Sequence, residues 1–361
     1  MGPQQGDPLG PLLFCLPLQP TLRSLRSGFK LGYLDDLSMG GGIEDVRQDL
    51  AAVKELETSL GICLNRQKCE YFSEAEVTGE EFEGFQRVDR DSLLLLGAPL
   101  FRGRALDEAL LKHSDSLALA MSDLACLQAQ AALMMLRSCF GAAKLIYLLR
   151  AAQCWGHPLL EKMDAQMRNG LEKILNIELS DMQWKQATLP IRDGGLGIRQ
   201  VSMLATSAYL ASAASTRSLV GAVLEVDEWS DAYMEEIMEA RKPTMPGGVE
   251  AALTSQKVWD RPLIDIDKAE VWAFNSDPLN RARLGAVTSP HAGDWLSTVP
   301  VASCGLGLSR LMKPFGWRLA SAWGSTSVRL INASAVRSQI QEDTMDWSAG
   351  DLQGERPATL P

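Results

Sequence analysis

The stretch "GYLDDLSMGGG", residues 32–42, sets two adjacent carboxylates, Asp35 and Asp36, inside an apolar run between Leu34 and Leu37. Burying even one unpaired carboxylate is costly, so the pair belongs at a bend where both groups reach outward. Residues 29–40 accordingly read as two short strands, "FKLGY" and "LSMG", with the aspartates at the turn between them. Two carboxylates at a hairpin tip repel each other unless a cation sits beside them. Magnesium is such a cation, since it takes hard oxygen ligands from one or two carboxylates together with substrate phosphates. Two such ions about 4 Å apart serve nucleotidyl transfer by activating the attacking hydroxyl and neutralising the leaving oxygen. From the residues alone, a solvated turn is the other reading of the pair.

Ahead of the hairpin, "GDPLGPLLFCLPLQPTLRSLRSG" predicts a helix that starts near Asp7 and Pro8, stops near Gly28, and is kinked or shortened at Pro17 and Pro20. Behind it, Val46, Leu50, Val53, Leu56 and Leu60 recur at helical spacing, with Glu44 and Asp45 in front and Gly61 just after. Short strands are expected in "ICLN", "CEYF" and "LLLLGAPLF". From about residue 105 to 217 the pattern becomes helical, with Leu110, Leu117, Leu124 and Ala131 at heptad spacing. Further helices run through "CFGAAKLIYLLRAAQ" and "PLLEKMDAQMRNGLEKIL"; "LPIRDGGLGIRQ" interrupts, and another helix covers about 201–216. No strand–helix–strand alternation occurs beyond residue 100, so the fold class is α/β followed by mostly α. The expected domains are 1–104, 105–217, 218–310 and a tail from 311 to 361, with "RKPTMPGG" at 241–248 as a linker.

A 361-residue chain with 46% hydrophobic and 22% charged residues is long enough for two or three ordinary globular domains. Its net charge of −10 repels a phosphate backbone, so any grip on nucleic acid must be local or supplied by other parts. Seven cysteines without a Cys-x-x-Cys pair, and a first segment without signal-peptide layout, predict a reduced intracellular protein, nuclear or cytoplasmic. Apolar runs such as "DSLLLLGAPLF" fall short of the roughly 20 residues of a membrane span, so no membrane partner is expected. His113, His157 and His291 are too far apart for a local metal motif, and Trp184, Trp272 and Trp295 are expected in the core. Gly40 to Gly42 lack a following Lys-Ser/Thr, and "DGGLG" lacks a preceding strand, which makes neither a phosphate-cradling loop.

Four segments in order, "GPQQGDPLGPLLF", "YLDD", "LNRQKCE" and "LLLGAPL", resemble motifs of reverse transcriptases from non-LTR retrotransposons. The resemblance implies a partial polymerase palm, made of helix, catalytic β-hairpin, helix and short strands, followed by a helical thumb-like region. It implies RNA-directed DNA polymerase chemistry with a two-metal magnesium site and, as partners, an RNA template, a DNA primer and a dNTP. Asp35 would be the main metal ligand and Asp36 its weaker neighbour, while Gln5, Gly6 and Tyr33 would contact template or nucleotide. Lys68 would stabilise or protonate the leaving pyrophosphate; its other reading is a solvated loop lysine, and that of Gln5 and Gly6 a helix-start turn. "WKQATLPIRDGGLGIR" and "RARLGAVTSPHAGDWLSTVP" resemble stretches downstream of the polymerase core and carry no chemistry of their own.

Reverse transcriptases carry a further catalytic aspartate on a strand upstream of the "QGDPLGP" motif, so the expectation is an N-terminally truncated chain that does not polymerise DNA as it stands. The tail from about 311 is unpatterned. Read one base earlier, with a choice among synonymous codons, it can give a Cys/His cluster of the zinc-binding kind, so an out-of-frame tail is expected. The alternatives to a polymerase segment are a non-enzymatic, pseudogene-like relic of a retroelement and a domesticated helical scaffold or binding protein.

Overall fold

The computed structural model describes residues 6–224, 226–244 and 254–296. Gln5, Cys304, positions 245–248 of the expected linker and the tail from 311 lie outside them.

Helix α1, Gly10–Ser24, begins where Asp7 takes hydrogen bonds from the amides of Leu9 and Gly10, each at 2.9 Å. Pro17 and Pro20 lie inside it without ending it. The carbonyls they leave without a partner are those of Leu13 and Leu16, on a side exposed by half, where water can substitute. The helix stops at Ser24 because Leu25 turns extended, three residues before Gly28.

Strands β1, Phe29–Tyr33, and β2, Asp36–Gly40, pair antiparallel from Phe29↔Gly40 to Tyr33↔Asp36. Helix α2 follows as Ile43–Leu60, ended by Gly61 at φ 69°, whose amide returns to the carbonyl of Leu56. "ICLN" is irregular chain rather than a strand. The Ile62 amide also turns back to Leu56, and a 3-10 turn over Arg66–Lys68 follows at once, which leaves no extended run to pair. Glu70–Tyr71 (β3) pairs in parallel with Gln86–Arg87 (β4). "LLLLGAPLF" folds on itself as Leu94–Leu95 (β5) and Ala98–Pro99 (β6), turned by Leu96 and Gly97 at φ 50° and 78°.

From here the chain is helical: α3 Arg104–Ala125, α4 Ala129–Met135, α5 Ala142–Ala151, α6 Pro158–Leu175, α7 Asp181–Thr188, α8 Val201–Leu224, α9 Ala232–Arg241, α10 Gln256–Phe274 and α11 Pro278–Val287. Leu110, Leu117 and Leu124 of the heptad face the core as expected. The chain breaks its helix at 126–128, so Ala131 falls out of phase and is half-buried. Helices α7 and α9 to α11 were not legible in the apolar pattern, and α8 runs eight residues past the expected end.

The chain divides into two compact units interleaved along the sequence. One comprises the residues up to Leu117, Ala142–Asp164 and Gln200–Ile266. Its helical core gathers Leu210, Tyr233, Ile237 and Trp259, with Tyr209 edge-on to Tyr233 at 4.5 Å between ring centres. Arg241, in the expected linker, is buried there and donates 2.6 Å to the Trp259 carbonyl. The other unit comprises Ala118–Gly141, Ala165–Arg199 and the residues from Asp267. In it, Gly170 of α6 admits the Met121 side chain where a Cβ would collide with it.

Candidate functional site

The turn of the first hairpin consists of Leu34 and Asp35 alone, because Tyr33 already pairs with Asp36. Leu34 takes the left-handed φ of 57° that tight hairpin links require and that glycine or asparagine adopts more easily. Tyr33, Leu34, Asp35 and Asp36 are all exposed. Among the described residues no hydrogen bond or ion pair engages either aspartate side chain.

The base of the hairpin is fixed by Asp49, a buried residue of α2. Its carboxylate accepts the amides of Arg26 and Ser27, both at 2.8 Å, and the Ser27 hydroxyl at 2.5 Å. Burial pushes this carboxyl up, but the Ser27 hydroxyl, the two amides and the Lys30 charge together outweigh it and hold Asp49 below the usual range. Lys30 itself donates to the Leu25 carbonyl at 2.7 Å. On β1, Gly32 lets α1 approach: a Cβ there would lie 2.9 Å from Leu22. Asp49 was missed in the sequence, although it sits between the half-buried Val46 and the buried Val53, where an acid signals an anchored polar group.

Lys68 lies in the Arg66–Lys68 turn with an exposed side chain, and no ion pair joins it to Asp35 or Asp36. The turn is held by Arg66, which donates to the carbonyls of Glu83 at 2.8 Å and Glu80 at 3.3 Å. Gly6 is exposed at φ 91°, in the turn before α1. Hairpin and lysine turn are thus each anchored separately, with no direct bond between their candidate groups.

The donor chemistry at the tip suits magnesium: two hard-oxygen groups that carry no partner among the described residues, open to a phosphate. Among the described residues no group of three His, Cys, Asp or Glu side chains converges as a metal cage. His157 lies 2.8 Å from Asp107 and His291 2.8 Å from Asp294, each in a local pair. Trp184 is buried as expected, Trp272 is half-buried, and Trp295 is 44% exposed, outside the core.

The two downstream stretches meet each other within one unit. Gly195 sits where a Cβ would strike the carbonyls of Leu189 and Gln186, and a Cβ on Gly293 would strike Ile191. Asp193, buried, pairs with Lys268 at 2.9 Å. The backbone of Trp295 and Leu296 accepts from Gln130 and Arg137 at 2.9 and 3.0 Å. These are packing roles.

The run Ala129–Ala151 is long and apolar enough to cross a membrane by length and composition, a signal missed in the sequence. It is broken by the wide π turn Leu136–Phe140 and by Gly141, and 44% of its most apolar window is buried inside the fold.

No family model matches the chain. It is similar to the Retrotransposable element SLACS 132 kDa protein of Trypanosoma brucei gambiense, with 27% identity over 216 residues. The match covers 58% of this chain and 18% of that protein's length. The chain is therefore related to a retroelement protein.

Proposed function

We propose that residues 1–104 are part of a reverse-transcriptase palm, and the helical residues 105–217 its thumb-like region, in a chain of non-LTR retrotransposon descent. The observation that carries this reading is the hairpin. Two carboxylates without a partner among the described residues stand at the tip of a two-residue turn, on a base clamped by Asp49, in a chain similar to a retrotransposable-element protein.

Asp35 and Asp36 would hold magnesium, which when bound supplies charge neutralisation at the phosphates and an acidified attacking hydroxyl. The tight turn orients Asp35 outward, and the pairing of Asp36 with Tyr33 keeps that ring beside the carboxylates, where a nucleotide would lie. Gln5 and Gly6 would border the template, and Lys68 would face the charge developing on pyrophosphate. RNA template, DNA primer and dNTP are the partners this reading requires.

Two carboxylates do not complete a two-metal site. The expected result of a primer-extension assay on the purified chain, with magnesium or manganese, is no incorporation. Robust incorporation that disappears in Asp35→Asn would overturn this inactivity and keep the palm; incorporation indifferent to Asp35→Asn would overturn the palm as well. A second reading, a non-enzymatic helical scaffold, draws on the concentration of buried side chains in the helices from Arg104 onward. It predicts a stable and specific protein partner, and a pull-down that recovers only chaperones would count against it.

A further inference from the structure

The segment from Glu70 to Glu83 carries six glutamates and no lysine or arginine. It holds two aliphatic hydroxyls, Ser73 and Thr78, each followed by acid: Glu74 and Glu76 after Ser73, Glu80 and Glu81 after Thr78. Their surroundings differ. Ser73 is half-buried, and its carbonyl accepts from Arg87 of β4 at 3.1 Å. Thr78 is exposed, and among the described residues no hydrogen bond engages its hydroxyl. Around Thr78 the chain is irregular. Residues 72–79 form neither helix nor strand, and among the described residues no backbone amide from Ser73 to Gly79 donates a hydrogen bond. Such a stretch can extend into another protein's cleft without breaking secondary structure.

A cation stands beside this loop. Arg47 of α2 donates from Nη2 to the Thr78 carbonyl, and a Cβ on Gly79 would lie 3.6 Å from the same nitrogen. Its Nη1 lies 3.5 Å from Glu44. The remaining nitrogen, Nε, is buried and has no acceptor among the described residues. A buried N–H without an acceptor is costly, so this guanidinium is short of one oxygen. The Thr78 hydroxyl belongs to the residue whose carbonyl Arg47 already holds. A phosphate on that hydroxyl would bring three strong acceptor oxygens beside the guanidinium, in the charge-assisted pairing that arginine favours.

We propose that Thr78 is a phosphorylation site for a serine/threonine kinase that recognises acid on the carboxyl side of the hydroxyl, with Arg47 receiving the phosphate. Glu80 and Glu81, two and three residues on, complement a basic kinase cleft. In the transfer the Thr78 oxygen bonds to the γ-phosphorus of a nucleoside triphosphate. The bond from that phosphorus to the β–γ bridging oxygen breaks, the nucleoside diphosphate leaves, and the hydroxyl proton passes to the kinase's catalytic base. The product adds up to two negative charges to a loop already rich in glutamate, which makes Arg47 the favourable partner and ties the loop to α2. Nothing in this assignment depends on the polymerase reading.

The test incubates the full chain with magnesium, ATP and an acid-directed serine/threonine kinase, with a base-directed kinase as control, and maps the phosphate by fragment mass spectrometry. All variants are checked for unchanged melting. The expected result is phosphate on Thr78 from the acid-directed kinase alone, none at that position in T78A, and labelling at least about tenfold slower in E80Q/E81Q. No phosphate on Thr78, or labelling of Ser73 in its place, would overturn the site. Labelling of Thr78 by both kinases, or of E80Q/E81Q at the wild-type rate, would overturn the acid recognition. The role of Arg47 is read separately, from cleavage by a glutamyl endopeptidase within residues 74–83. Phosphorylation should slow that cleavage several-fold in the wild type and in R47K, and leave it unchanged in R47Q. Equal slowing in R47Q would overturn the pairing with Arg47.

Discussion

Residues 6–101 and the helices from Arg104 onward are held by different means. In the first region the buried hydrophobic side chains are Leu25, Val53, Phe82, Ala98 and Pro99, the sheets have two strands each, and the hairpin is fixed by a carboxylate clamp. In the second, Leu106, Leu110, Leu149, Leu160, Met163 and Leu171 are almost wholly enclosed. Apolar burial is additive and non-directional, whereas a clamp such as Asp49 acts through a few oriented bonds. The candidate chemistry sits on the first kind of support, where open backbone edges on both strands of the hairpin also invite pairing with other chains.

The largest expected effect lies in the helices. Leu149→Ala should lower stability by about 2–5 kcal/mol in urea unfolding, whereas Val53→Ala should lose roughly 1.5 kcal/mol. Equal losses would erase the contrast between the regions.

Acid titration should separate them further. Burial pushes Asp164 up to about 6, against the hydrogen bonds from Ser202 and the Val201 amide at the start of α8. A carboxyl raised in the folded state binds more protons there than when unfolded. Its contribution is complete below the unfolded value of 3.8 and is lost as pH rises through about 6. Asp164→Asn should therefore flatten a stability decline of up to about 3 kcal/mol between pH 4 and 6. Asp49 has the opposite sign: its depressed carboxyl contributes above 3.8, and that contribution is lost as pH falls through the lower folded value. Asp49→Asn should cost about 1–3 kcal/mol at pH 7 and weaken the acid sensitivity below pH 4. An unchanged profile in either variant would contradict the assigned sign.

The smallest effect belongs to the turn. Leu34→Gly removes a left-handed leucine and should stabilise the hairpin by no more than about 1 kcal/mol, read from amide exchange of residues 29–40. Faster exchange would show that the leucine side chain contributes packing that its exposure hides.

Much of this layout was legible beforehand. The period of Val46 to Leu60, with Gly61 behind it, marked α2 to its last residue, and α6 runs over the whole of the apolar-patterned segment 158–175. The hairpin was legible because two carboxylates in an apolar run have few places to go. What stayed hidden depended on partners distant in sequence: Asp49 reaching back to Ser27, Ile62 folding back onto α2, and Lys144 reaching Ser116. Short polar helices such as α7 gave too little periodicity, though its capping box, Ser180 with Gln183, was present in the sequence. Asp35, Asp36 and Tyr33 do come together at the tip, while the reach of Lys68 to them has no direct bond to rest on.

The central claim is that the exposed aspartate pair binds the metal–nucleotide complex of a polymerase site. Its most direct test is line broadening of backbone amides by Mn2+ in the presence of a deoxynucleoside triphosphate. The account predicts broadening centred on residues 33–37 that is lost in D35N/D36N. Broadening absent from the hairpin, or undiminished in the double variant, would contradict it.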